Sequence, residues 1–285
     1  MKLIESISEM QDLSRQWRCQ GQTVGFVPTM GALHQGHLSL IRVAKRESQK
    51  VVVSIFVNPT QFGPGEDYNS YPRRLEQDLQ LCQQEGVDAV FAPKTEEMYP
   101  EGFATKVEVS RLTEHLCGAF RPGHFAGVAT VVVKLFNAVL PDTAVFGMKD
   151  AQQFFVIKRM VQDLNMPIRI VPGPTIREKD GLAMSSRNAY LTPEQRKQAP
   201  VLYRALLLAE ELVFSRGLRD VEKLTQQMTA FISQEAPDMK VQYIQAVDTE
   251  NLQPLSTLKG EVLLAAAVFL GKARLIDNIV LKIDK

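Results

Sequence analysis

The chain of 285 residues is short of cysteine, short of histidine and almost without charge imbalance. Its three cysteines, Cys19, Cys82 and Cys117, are widely spaced and form no CxxC pair, which excludes a zinc knuckle and a disulfide framework and points to a reducing, cytoplasmic setting. The 33 basic and 32 acidic side chains nearly cancel. Without a broad positive field, nucleic acid and anionic membrane are excluded as main partners, and basic groups that do converge should serve a small, local anion. Long apolar runs are missing too. The longest, Val262–Leu270, has nine residues, against the roughly 20 needed to cross a bilayer. The opening "MKLIESISEMQDLSRQW" sets apolar residues at helical spacing and lacks the apolar core of a secretion signal. Three glycine-rich signatures are also absent: GxxxxGK[ST], a GxGxxG after the first strand, and GxSxG. Their absence removes the P-loop ATPases, the nicotinamide enzymes and the serine hydrolases with a nucleophile elbow.

What remains has the composition of an ordinary globular protein, 45% hydrophobic and 23% charged, long enough for one large domain or two smaller ones. Short apolar runs at Thr23–Val27, Val51–Val57, Ala89–Ala92, Ala144–Phe146 and Ile168–Val171 read as buried strands. Helical spacing lies between them, at His37–Arg46, Pro72–Glu85, Phe125–Val139 and Asp150–Leu164. This alternation predicts an α/β fold: a Rossmann-like parallel sheet with helices on both faces, over residues 1–175. The segment "PGPTIREKDGLAMSSRN" then reads as a connection. Residues 176–285 follow as a smaller α+β domain, with helices at Pro193–Arg216 and Asp220–Gln234 and strands at Val241–Val247, Val262–Phe269 and Arg274–Val280.

The polar oddities fall just after strand ends, the edge of a parallel sheet where ligands bind. "PTMGALHQGH" holds two of the four histidines, His34 and His37, between glycines. At a helix start their imidazoles could donate to a phosphate, reinforced by unpaired backbone N–H groups and the helix dipole. Metal ligation and purely structural histidines remain open, although only His115 and His124 could complete a zinc site. "FGMKDAQQ" puts Lys149 at a strand tip, with Asp150 placed to cap a helix or accept ribose hydroxyls and Gln153 one turn on. Taken alone, Lys149 and Asp150 read equally as an exposed ion pair of little energetic value. "MSSRN", Met184–Asn188, is either an anion clamp of two hydroxyls and a guanidinium or a helix cap with a solvated arginine. "RPGHF", Arg121–Phe125, reads alone as a turn entering a helix.

Together these motifs say more. "HQGH" resembles the HxGH form of the HIGH motif of adenylate-forming nucleotidyltransferases, and "MSSRN" resembles their KMSKS loop. "PTMGALHQGHLSLI", "SIFVNPTQFGPGEDYNSYPR", "RPGHFAGVATVVVKLFN", "FGMKDAQQ" and "DGLAMSSRNAYL", in this order, resemble the pantoate–β-alanine ligase family; the likeness resumes at "FLGKARLIDN".

The resemblance implies an ATP-dependent ligation of pantoate with β-alanine through a pantoyl adenylate. It implies that His34 and His37 contact the phosphates, and that Lys149, Ser185, Ser186 and Arg187 hold the triphosphate. Met30, Gly147, Met148, Asp150 and Met184 would line the nucleotide. Gln61 and Gln153 would grip pantoate, with Pro28, Met30, Phe62 and Val132 as its apolar wall. Asn58, Arg121 and His124 match pocket-side positions without individual roles. Magnesium would accompany ATP, with Asp78 matching a position associated with it; its neighbour here is Gln77, where some members carry a second aspartate. A homodimer is implied as well. The competing readings are another HxGH nucleotidyltransferase that only transfers a nucleotidyl group, and a nucleotide sensor without turnover.

Overall fold

The computed structural model describes residues 1–283, which fall into two compact units. The first comprises Met1–Val109, Arg121–Met148 and Val156–Pro174; the second comprises Ser110–Phe120, Lys149–Phe155 and the chain from Thr175 onward. In chain order the elements are β1 (Lys2–Ile4), α1 (Ile7–Cys19), β2 (Val24–Thr29), α2 (Gln35–Glu47), β3 (Lys50–Ile55), α3 (Leu75–Gln84), β4 (Ala89–Phe91), α4 (Thr95–Met98) and α5 (Cys117–Phe120). They continue with α6 (His124–Val139), β5 (Thr143–Gly147), α7 (Ala151–Asp163), β6 (Arg169–Gly173), α8 (Pro193–Gln198), α9 (Val201–Phe214) and α10 (Val221–Glu235). The last three are β7 (Met239–Asp248), β8 (Gly260–Leu270) and β9 (Ala273–Ile283).

The first unit is built on a six-stranded sheet of order β1-β4-β3-β2-β5-β6, parallel throughout. Both faces are covered, which is why its strands read as continuous apolar runs rather than alternating ones. On one face Val27, Val51, Val53 and Val145 pack with Leu38 and Ile41 of α2 and Cys82 of α3. On the other, Phe26 and Phe146 each meet Phe136 of α6 edge-on, with ring centroids 6.3 Å apart. A buried side chain such as Phe26 contributes about 1.5–3 kcal/mol. The chain runs outward from β2 through β3 to β4, then returns to place β5 and β6 on the other side of β2. The carboxyl ends of β2 and β5 are therefore neighbours at a topological switch point, the position where open α/β sheets bind ligands.

The second unit has a three-stranded antiparallel sheet, β7-β8-β9. Val262, Leu264, Ala266 and Val268, at alternate positions of β8, join one core with Leu206 and Ala209 of α9 and Leu224 and Met228 of α10. Among the described residues, no helix is long and apolar enough to cross a membrane.

Three local readings differ from the structure. The start of the chain contributes β1, an edge strand parallel to β4, before its helix begins. A strand of three residues is too short to show a period of its own. The helix expected over Pro193–Arg216 is broken into α8 and α9 at Pro200, which has no N–H to continue the helical ladder. Finally, the sequence suggests one division at residue 175, whereas two internal segments also pass to the second unit. Buried Gln152 explains the first of these segments. Its Oε1 accepts from Cys117 N–H at 2.9 Å, and its Nε2 donates to the carbonyls of Leu112 and His115 at 2.9 and 2.8 Å. Leu116 N–H also donates to Gln245 Oε1 of β7 at 3.0 Å.

Candidate active site

The loop leaving β2 is shaped by a buried carboxylate. Gly31 (φ +83°) and Ala32 (φ 50°) are both left-handed, a conformation that is costly for alanine and needs support from outside the loop. Asp78 of α3, only 2% exposed, supplies it. Its Oδ2 accepts from Ala32 N–H at 2.8 Å and its Oδ1 from Leu33 N–H at 2.7 Å. Burial raises the Asp78 carboxyl above its ordinary value, outweighing the Leu33 and Ala32 donors that lower it. Asp78 thus serves as a clamp on the loop. Each oxygen accepts one backbone N–H and keeps a further lone pair, so the clamp and the magnesium role implied by the resemblance are compatible in this geometry. Among the described residues, no three His, Cys, Asp or Glu side chains gather as metal ligands.

The clamped loop delivers His34 as the N-cap of α2 and His37 one turn in. His34 Nδ1 accepts from Gly36 N–H at 3.1 Å, and His37 Nδ1 accepts from His34 N–H at 3.3 Å. This reciprocal box determines both tautomers. An imidazole whose Nδ1 accepts from the backbone carries its proton on Nε2, so each neutral ring keeps one N–H donor at its far end. The ring centroids lie 4.1 Å apart, so both imidazoles stand together at the positive end of a helix. The sequence pointed to the histidines as donors but did not reveal that they also cap the helix.

The turn after β3 is held by Asn58, which is 1% exposed. Its Oδ1 accepts from the Tyr99 hydroxyl at 2.8 Å and the Thr60 hydroxyl at 2.9 Å. Its Nδ2 donates to Gly127 O and to Gln61 Oε1, both at 3.1 Å. With the Gln61 oxygen so engaged, the amide NH2 is turned toward Met30, with Nε2 3.1 Å from the sulfur. Asn58 therefore orients Gln61, the individual role that its position in the motif did not reveal.

Arg121 and His124 complete this region. Arg121 forms a fork with Glu66, at 2.7 Å from Nε and 2.5 Å from Nη2. Burial pushes the Glu66 carboxyl up, yet the hydrogen bonds and charge of Arg121 prevail and hold it below its ordinary value. Arg121 Nη1 lies 3.0 Å from His124 Nε2, and His124 Nδ1 lies 2.8 Å from Gln61 O. Because a guanidinium can only donate, Nε2 accepts and Nδ1–H donates to the Gln61 carbonyl. Phe62 packs edge-on with Tyr68 and Tyr71, while Val132 is buried in α6. Pro28 and Met30 are half-buried at the end of β2 and just beyond it.

At the switch point, Gly147 ends β5 and Met148 begins a short 3-10 turn. In the second unit, Lys149 Nζ stands 3.5 Å from Asp150 Oδ2, and Gln153 is half-buried on α7. Met184 N–H donates to Ile176 O at 2.9 Å. Ser185 caps the turn Ser186–Tyr190, its Oγ accepting from Arg187 N–H at 3.3 Å. Within the first unit, then, the structure brings Met30 to Gln61, His34 to His37, and Arg121 to His124. Within the second it brings Lys149 to Asp150 and builds the MSSRN turn. Sequence reasoning missed Glu66, Tyr99 and the clamp role of Asp78. An acid in the first turn of a helix reads as a dipole partner, and its cross-chain acceptor role has no local signal.

The parallel α/β sheet places the HxGH motif of this chain, His34–His37, in the loop at its switch point, as the resemblance to HxGH nucleotidyltransferases implies. The chain belongs to the pantoate–β-alanine ligase family, whose model matches residues 2–280, and it is an enzyme of that family. It is 56% identical over 283 residues to a pantothenate synthetase of Heliobacterium modesticaldum, covering 99% of this chain and 100% of the relative. Among solved structures, a pantothenate synthetase from Thermus thermophilus superposes with a TM-score of 0.92 at 50% identity, covering 98% of this chain and 99% of that one. A pantoate–β-alanine ligase from Francisella tularensis, complexed with beta-gamma ATP and β-alanine, superposes with a TM-score of 0.80 at 37% identity, covering 98% and 97%.

Proposed function

We propose that this enzyme condenses pantoate with β-alanine in two steps driven by ATP. A pantoate carboxylate oxygen attacks the α-phosphorus, the bond to the bridging oxygen breaks, and pyrophosphate leaves. The amine of β-alanine then attacks the acyl carbon of pantoyl adenylate, AMP departs with the C–O bond electrons, and the nitrogen loses its extra proton. Activation is required because a carboxylate is a poor electrophile with no competent leaving group. Negative charge grows on the leaving pyrophosphate, so donors fixed in advance favour the transition state over bound ATP. The paired imidazoles of His34 and His37, held at a helix start by their own backbone bonds, are the observation that carries this reading.

In the same proposal Lys149, Ser185, Ser186 and Arg187 are the phosphate donors of the second unit. Met30, Gly147, Met148, Asp150 and Met184 line the nucleotide. Gln61 and Gln153 bind the hydroxyl and carboxylate groups of pantoate, and Pro28, Met30, Phe62 and Val132 face its methyl groups. Magnesium would accompany ATP and offset part of its phosphate charge, with Asp78 the residue that would hold it. A cytoplasmic homodimer belongs to the same reading and is supported by the family resemblance.

The deciding experiment is pyrophosphate–ATP exchange with β-alanine withheld. Exchange is expected to depend on pantoate, and added β-alanine is expected to convert the adenylate to pantothenate. Exchange that runs equally well without any acid would defeat the substrate assignment. Exchange without pantothenate formation would favour simple nucleotidyl transfer.

A second prediction isolates the pantoate grip. A Cβ on Gly127 would stand 2.6 Å from the Thr60 carbonyl carbon and 2.8 Å from Gln61 Cα, so the turn carrying Gln61 must move. Overpacking of this kind costs about 1–3 kcal/mol. Gly127→Ala is expected to raise the KM for pantoate while leaving the KM for ATP near its starting value. Equal changes in both would show that the turn does not serve pantoate selectively.

A further inference from the structure

The "FLGKARLIDN" segment has no role in the chemistry above, yet β9 carries two adjacent polar residues, Asp277 and Asn278, at its centre. They are 3% and 8% exposed and sit opposite Ala266 and Ala265 of β8. Burying an acid and an amide side by side is unhelpful to folding alone. A buried ion pair is often no more stable than apolar side chains of similar volume, and an amide must find partners once it leaves water. The partners that these two residues find are informative.

Asp277 forms a fork with Arg177, at 2.5 Å to Nη1 and 2.9 Å to Nη2. Arg177 Nη1 also donates to Gly181 O at 3.1 Å, and its guanidinium lies 3.6 Å from the Tyr203 ring centroid. Arg177 and Ala183 are bridged antiparallel, and Glu178 N–H donates to Leu182 O at 2.8 Å. Asp277 thus anchors a small hairpin whose last residue directly precedes Met184–Arg187 in the chain. Asn278 reaches the other phosphate segment. Its Nδ2 donates to the carbonyl oxygen of Lys149 at 3.0 Å.

We infer that Asp277 and Asn278 are positioning residues: one strand dipeptide locates both Lys149 and the MSSRN loop relative to a single rigid point in the second unit. The inference rests on the phosphate roles proposed for those two segments. A reacting group displaced by about 1 Å can cost about 10²-fold in rate. An anchor shared by two donor segments would keep their separation constant.

The test uses the full chain and pantoate-dependent pyrophosphate exchange. Asn278→Ala is expected to lower kcat by about 10²-fold while the KM for pantoate stays constant. Combined with Lys149→Ala, it is expected to add little further loss, because both changes disable the same donor. Asn278→Leu, of similar size but without a donor, should behave alike, and thermal unfolding of both variants identifies any loss of fold. Asp277→Asn is expected to raise the KM for ATP without adding to the loss in Arg187→Ala. If Asn278→Ala and Asn278→Leu retain exchange within twofold, or if their losses multiply with that of Lys149→Ala, the inference is overturned. If Lys149→Ala itself leaves exchange intact, the proposed phosphate role fails first and this inference falls with it.

Discussion

His37→Asn is expected to reduce pantoate-dependent pyrophosphate exchange by about 10²–10³-fold, the usual cost of losing one fixed donor to a developing anion, while the protein remains folded. Asparagine is the informative replacement because the histidine has two functions at its two nitrogens. Its Nδ1 closes the cap by accepting from His34 N–H, and a cap is worth about 0.5–2 kcal/mol. Its Nε2–H is the donor assigned to the phosphates. Asparagine can keep an acceptor near the first position but has nothing to place at the second. His37→Ala removes both, so its loss of stability against His37→Asn measures the cap alone. Lys149→Ala is expected to show a comparable fall in exchange with no capping component. Preserved exchange in His37→Asn, with loss only in His37→Ala, would reduce the histidine to a structural cap.

Asp78→Ala is expected to destabilise the protein and to disable the same exchange reaction. The carboxylate satisfies two consecutive backbone donors, Ala32 and Leu33. Leaving both buried and unpaired costs about 2–6 kcal/mol, at about 1–3 kcal/mol for each. With the clamp gone, Ala32 has no reason to stay left-handed, and the loop that presents His34 relaxes. Asp78→Asn is expected to be nearly as harmful, because one amide position must point an N–H group at a backbone N–H. A magnesium titration separates the clamp from the metal role. Raising magnesium should leave the activity of Asp78→Asn unchanged where loss of the clamp dominates, and restoration at high magnesium would assign the loss to the metal. The neighbouring Cys82, one turn further along α3, does not complicate this experiment. Burial, then the charges of Asp78 and Glu85, push its thiol up to about 12, so it stays protonated and inert.

The architecture was legible because it follows from local rules. Runs such as Val51–Val57 contain too few polar residues for a sheet wet on one face, and the helical stretches between them require parallel crossovers. The strands observed at β2 to β6 lie within a residue or two of those expected. The histidine, lysine and serine–arginine motifs could be located from the sequence because each falls after a strand end or in a connection. Less was legible where the decisive partner is far away in the chain. Asp78 meets Ala32 and Leu33 across 46 and 45 positions, and Asn278 meets Lys149 across 129.

By itself, then, the sequence determined the fold class, the alternation of the main strands and helices, and the family, since periodicity, glycine placement and motif spacing are properties of contiguous residues. Tertiary structure alone decided which ring nitrogens of His34, His37 and His124 accept hydrogen bonds, that Asp78 is a loop clamp, that Asn58 aims Gln61, and that β9 anchors two separate loops. The physical reason is that a hydrogen bond depends on position to a few tenths of an ångström. Positions across a chain-distant contact are set by the packing of whole helices and strands, which no local pattern encodes.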